Sequence, residues 1–111
     1  MKIILASRSE VRKKILDKYK IKSEVIFSNI DEDQVKDSLL AEGASPLTIS
    51  KNLAELKSIK ISIKKPNRLV LGADSVISLN DNLINKPKTR EDALEILKKL
   101  NNSKHYLISS V

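Results

Sequence analysis

The sequence predicts an α/β fold, a mixed β-sheet flanked by helices. Short apolar runs rich in Ile, Leu and Val alternate with segments at helical spacing, in the order strand, helix, strand, helix, helix, strand, hairpin, helix, strand. The 111 residues are 41% hydrophobic and 32% charged, a globular balance that fits one domain over residues 1–111. One Phe, two Tyr and no Trp leave the core to aliphatic side chains. No repeat, linker or low-complexity segment divides the chain.

Lys2 to Ala6 is a short apolar strand opening into Ser7-Arg8-Ser9. Val11, Ile15, Leu16 and Tyr19 follow at helical spacing, so Ser9 reads as the N-cap of a helix to about Lys20. Ser7, Ser9 and the amides around them then lie at the positive end of a helix directly after a strand, a natural anion seat. Glu24 to Ser28 alternates weakly as a second strand, Ser28 to Asp33 reads as a loop, and Gln34 to Ala41 as a short helix stopped by Gly43. Ser45-Pro46 starts a long helix from Leu47 to about Ile63, with Ile49, Leu53, Leu56 and Ile63 as its apolar face and Lys57 beside that face. Pro66-Asn67 ends it, and Arg68 to Leu71 forms the next strand. Ser75 to Leu79, Asn80-Asp81-Asn82 and Leu83-Ile84 read as a hairpin. Thr89 with Asp92 caps a last helix whose face is Ala93, Ile96, Leu97 and Leu100, and His105 to Val111 is a final strand. A chain ending on an apolar strand leaves an edge that invites association, so an incomplete C-terminal side is expected.

The absence of cysteine excludes disulfides and thiolate metal sites. With no signal peptide and no apolar run of about 18 residues, a cytoplasmic protein without membrane contact is expected. A net charge of +7 invites a nucleic-acid partner. However, the lysines spread along helix faces with almost no aromatic side chain nearby to stack bases, so nucleic acid is the weaker reading.

Asp74 is the residue that demands explanation. The run Leu69-Val70-Leu71-Gly72-Ala73 drives a strand straight into an acid, and burying an unpaired charge costs several kcal/mol, roughly the stability of a small domain. Ser7, Ser9, Arg12, Asp31-Glu32-Asp33, Lys57 and Lys86 offer it hydroxyls, cations and carboxylates. Such a set can hold a polyphosphate and a divalent metal.

The residues that carry this reading also carry a resemblance. Leu5-Ala6-Ser7-Arg8-Ser9 with Arg12, Ile30-Asp31-Glu32, Leu53-Ala54 with Lys57, Gly72-Ala73-Asp74-Ser75, Lys86-Pro87, and Ala93 to Leu100 followed by His105 stand in the order and spacing of the Maf family. The chain resembles these septum-formation-type nucleoside triphosphate pyrophosphatases over essentially its whole length. The resemblance implies a Maf/inosine-triphosphatase-like architecture. It also implies hydrolysis of a nucleoside triphosphate between its α and β phosphates, a house-cleaning role, and a divalent cation, Mg or Mn, as cofactor. Family members are usually dimers, which makes a homodimer the assembly to look for.

Carried over residue by residue, the resemblance makes Ser7, Ser9 and Arg12 the grip on the phosphate tail and Lys57 and Lys86 the contacts to phosphate charge. Glu32 becomes the favoured metal ligand, with Asp31 and Asp33 as near alternatives, and Asp74 a general base or metal ligand. Each has a plainer alternative: Ser9 as a cap only, Asp31-Glu32-Asp33 as a solvated turn, the lysines as surface charge, Asp74 as a strand-end cap. His105 stands where the family also has a histidine and reads as structural.

The chain departs from the family in three places. Ser9-Glu10-Val11-Arg12 replaces Ser-Pro-Arg-Arg. Ser75 stands at a position tied to base preference where Thr or Gln is usual, leaving pyrimidine triphosphates (dTTP or UTP) or a modified nucleotide as the default substrate. The family's C-terminal strands and Lys-Ala-Gly loop would follow Val111. Without them, a non-catalytic nucleotide-binding fragment is the alternative, and a basic nucleic-acid-binding protein the more distant one.

Overall fold

The computed structural model describes residues 1–111. Its elements run β1 (Ile3–Ala6), α1 (Glu10–Lys18), β2 (Ser23–Val25), α2 (Glu32–Ala41), α3 (Pro46–Lys64), β3 (Val70–Gly72), β4 (Asp74–Leu79), β5 (Asn82–Ile84), α4 (Arg90–Leu100) and β6 (His105–Ser110). The mixed α/β prediction holds, with its parallel and antiparallel pairings sorted into two three-stranded sheets. One is parallel in the order β2-β1-β3, the other antiparallel in the order β5-β4-β6. Only Ala73 separates β3 from β4, so the chain passes from the first sheet into the second at the acid singled out by the sequence.

The central strand of the parallel sheet is buried from both sides. Ile4, Leu5 and Ala6 of β1 have no exposed surface, as expected of a central parallel strand covered on each face. Helix α3 supplies most of the cover. Ile49, Leu53, Ala54 and Ile61 form its buried stripe, and Ile4, Ala6 and Ile61 cluster with Ile26 and Val70 packed against them. The expected apolar face of α3 is corrected in two places, because Leu56 and Ile63 turn toward solvent and Ile61 is the residue buried. Two polar residues, Ser50 and Lys57, lie in the buried stripe.

Local chemistry accounts for the boundaries. Ser9, Asp31, Ser45 and Thr89 each accept a hydrogen bond from the amide three residues on. At the end of α2, Gly43 takes φ +81° while Ala44 and Gly43 donate back to the Leu39 and Leu40 carbonyls, a Schellman cap. Asn80 and Asp81, with φ of 52° and 63°, form the tight turn that closes the β4–β5 hairpin.

Three expectations need adjustment. The second strand is shorter than predicted and ends at Val25. The acidic triplet is not a loop, since Asp31 caps α2 and Glu32 and Asp33 form its first turn, where carboxylates favour the helix dipole. Helix α4 buries no residue completely: Ala93, Ile96 and Leu100 of its predicted face are half-buried, and Leu97 is 63% exposed.

Candidate active site

Strand order β2-β1-β3 means that the chain leaves β1 toward one side and later returns on the other. A crevice therefore opens beyond the carboxyl ends of β1 and β3, the usual ligand position in such sheets. Register pairs Ala6 with Gly72, so Ser7 and Asp74 emerge side by side where the two strands end. A cleft of about 680 Å³ opens there, with Ala6 and Ile30 as its only apolar lining. All eight site residues expected from the sequence line it: Ser7, Ser9, Arg12, Glu32, Lys57, Asp74, Ser75 and Lys86.

At its floor Lys57 joins two carboxylates. Its Nζ lies 2.5 Å from Glu32 Oε1 and 3.2 Å from Asp74 Oδ1, and it also donates to the Ala73 carbonyl at 3.3 Å. Lys57 and Asp74 are only 8% and 4% exposed. A lysine whose stem follows the apolar stripe of α3 thus delivers its charge under the end of β3. Asp74 Oδ2 is buried without a hydrogen-bond partner, so this acid keeps unused acceptor capacity. Ser50, fully buried on α3 between Ile49 and Leu53, holds the backbone of Asp74. Its Oγ is 3.2 Å from the Asp74 carbonyl and 2.9 Å from Ser110 Oγ. Ser50 Oγ faces both acceptors, and its single proton serves one of them at a time, tying α3 to the start of β4 and the end of β6.

Burial pushes the Glu32 pKa up, but the hydrogen bond and charge of Lys57, with smaller contributions from Lys86 and Lys36, outweigh it. The carboxyl is held below its ordinary value.

The other wall is the turn from β1 into α1. Arg12 donates through Nη1 to Ser7 Oγ at 2.8 Å and through Nη2 to Ser75 Oγ at 3.2 Å. Ser7 Oγ also accepts from the Ser9 amide at 3.2 Å. With both lone pairs of Ser7 engaged, its proton is left to donate to an anion. Ser9 accepts from the Arg12 amide, so its cap role and its place in the cleft coexist.

This ordered set of residues invites comparison with known proteins. The family described as Maf-like protein matches residues 2–111. The chain belongs to the Maf-like family. It is 61% identical over 109 residues to the nucleoside triphosphate pyrophosphatase of Pelagibacter ubique (strain HTCC1062), a match covering 98% of this chain and 56% of that protein. It is 42% identical over 108 residues to the protein of the same name from Ruegeria sp. (strain TM1040), covering 97% and 54%. The 7-methyl-GTP pyrophosphatase of Brucella abortus biovar 1 (strain 9-941) is 36% identical over 111 residues, covering 100% and 56%. The chain spans about half the length of the curated relatives it matches.

Some parts of this Maf-like site escape sequence reading. Arg8 lines the cleft and bonds Asn29 Oδ1 at 2.9 Å, and Lys36 is buried one turn beyond Glu32. Ser50 could have been found, because it breaks the apolar stripe of α3 as Lys57 does. Ser109 reaches Ser75 Oγ at 2.8 Å across a strand pairing that no local pattern announces. His105 lies outside the cleft lining, with Nδ1 3.1 Å from the Ser103 carbonyl. No helix is long and apolar enough to cross a membrane.

Proposed function

We propose that the cleft binds a nucleoside triphosphate and directs hydrolysis between its α and β phosphates, yielding a monophosphate and pyrophosphate. The observation that carries this reading is the convergence of Arg12, Lys57 and Lys86 with Glu32 and Asp74 around one polar void at the ends of β1 and β3. The family relationship supports it, since relatives over this same stretch are named nucleoside triphosphate pyrophosphatases.

Ser7, Ser9 and Arg12 hold the phosphate tail at the α1 N-terminus, where backbone amides and dipole favour anions. Lys86 reaches the outer phosphates, and Lys57 takes up charge that develops as the bond to the leaving pyrophosphate breaks. Asp74 is the base or ligand at the reacting end; it lines the cleft, and its buried Oδ2 has no protein hydrogen-bond partner to compete for it.

The chemistry of the donor set also fits a divalent cation. The chain has no cluster of three or more acidic or histidine ligands at one point, but Glu32 and Asp74 meet around Lys57. One or two carboxylates with phosphate oxygens and water suffice for Mg or Mn. Glu32 and Asp74 would hold the ion, which when bound supplies Lewis-acid charge to the phosphates. Pyrimidine triphosphates remain the proposed substrates, with Ser75 at the position tied to base preference.

Release of pyrophosphate from a panel of nucleoside triphosphates with Mg or Mn tests the reading. Asp74→Asn keeps the side-chain shape and is expected to abolish release with folding intact. Unchanged turnover in that variant refutes the role of Asp74. Metal-linked triphosphate binding without release in the parent chain leaves the binding-fragment reading.

A further inference from the structure

Ser109 lies on β6, outside the cleft, yet connects to it. The β4–β6 ladder pairs Ser75 with Ser109 and brings their hydroxyls to 2.8 Å, while Ser75 accepts from Arg12 Nη2. Arg12 is therefore held at both terminal nitrogens, by Ser7 on the parallel sheet and by Ser75 on the antiparallel sheet.

A serine hydroxyl rotates freely unless its proton has a taker. If the Ser75 proton points at Arg12, it opposes the guanidinium hydrogens and the bond is lost. If it points at Ser109, a Ser75 lone pair faces Arg12. Whichever hydroxyl donates in the Ser75–Ser109 bond, a Ser75 lone pair stays turned to Arg12, so Ser109 holds Ser75 in the accepting orientation and the guanidinium in place with its remaining N–H groups free for an anion.

We propose that Ser109 is a positioning residue for the phosphate seat, acting through Ser75 to fix the Arg12 guanidinium. It touches no substrate atom. This rests on the reading of the cleft as a triphosphate site.

The test uses the chain of residues 1–111, inorganic tripolyphosphate with Mg as probe, and the variants Ser109→Ala, Ser109→Thr, Arg12→Ala and Ser109→Ala with Arg12→Ala. Ser109→Ala is expected to weaken binding about three- to tenfold, the range for one hydrogen bond to a charged network. Ser109→Thr, which keeps the hydroxyl, stays within about twofold, and Ser109→Ala adds nothing once Arg12 is gone, as required of residues acting in series.

The Arg12 guanidinium NMR signals give a ligand-free readout, resolved in the parent and Ser109→Thr and averaged by rotation in Ser109→Ala. Parent-like tripolyphosphate binding by Ser109→Ala, an equal loss with and without Arg12, or unchanged guanidinium signals each overturn the proposal. Coupled tripolyphosphate binding with no pyrophosphate release from any nucleotide overturns the hydrolase reading and leaves Ser109 in its role.

Discussion

Lys57 separates Glu32 and Asp74, and the state of all three depends on it. Removing one partner from a buried ion cluster leaves uncompensated charge and costs about 3–5 kcal/mol. Lys57→Met is thus expected to lose about that much stability at pH 7 in chemical denaturation, and to recover part of it as pH falls and Glu32, desolvated and no longer paired, gives up its charge. A variant as stable as the parent at pH 7 would remove Lys57 from the centre of the site. Glu32 gives the parent a dependence of the opposite sign. Its folded pKa is lowered, so the unfolded chain binds the proton more readily. The stabilisation is complete above the ordinary glutamate pKa and is lost as pH falls through the lower folded value. Glu32→Gln should flatten the acid limb of a stability–pH curve, and an unchanged limb would contradict the pairing. Asp74 and Lys57 are legible in the sequence because each breaks an apolar pattern. Arg8 and Lys36 are not, because neither interrupts an apolar run and a single cation carries no local signal in a chain with 21 basic residues.

Elements bring these residues together, and the tightest join is between α3 and β3. A Cβ on Gly72 would lie 2.4 Å from the Ala54 carbonyl oxygen and 2.8 Å from the Ser58 amide nitrogen, both backbone atoms that cannot step aside. Close approach of helix to strand is therefore what Gly72 permits, and it sets how deeply Lys57 reaches under Asp74. Gly72→Ala is expected to destabilise the fold by about 3 kcal/mol, the upper end for overpacking, in thermal or chemical unfolding. A loss under about 0.5 kcal/mol, the scale of surface changes, would contradict that close packing. Caps, turns and helix periods are readable locally, as Ser9, Ser45-Pro46 and Asn80-Asp81 show. The start of α2 is misjudged from sequence because Asp31-Glu32-Asp33 suits a solvated turn and a capped first turn equally well. Only the fold brings Lys57 up to Glu32 and decides between them.

At the scale of the molecule, the chain passes from a parallel into an antiparallel sheet at Ala73, and the cleft takes one wall from each. Element order predicts a mixed sheet, but the division into two sheets depends on contacts between β4 and β6 that lie about thirty residues apart, beyond any local period. Ala93, Ile96 and Leu100 of the predicted α4 face are half-buried while Leu97, like Tyr106 and Leu107 on β6, is exposed, so periodicity gives the face of the last helix but not its depth of burial. The net charge of +7 comes from basic residues along the whole chain, whereas the proposed function needs only the cations that face the cleft. The nucleic-acid-binding and nucleotide readings of that charge differ in where a polyanion binds. Backbone amide NMR of the chain titrated with a nucleoside triphosphate and Mg separates them most directly. The shifts should concentrate at Ser7 to Arg12, Glu32, Lys57, Asp74-Ser75 and Lys86 and saturate together. Shifts scattered over the lysines of α1, α3 and α4, leaving Asp74 and Ser7 unmoved, would contradict a triphosphate site in the cleft.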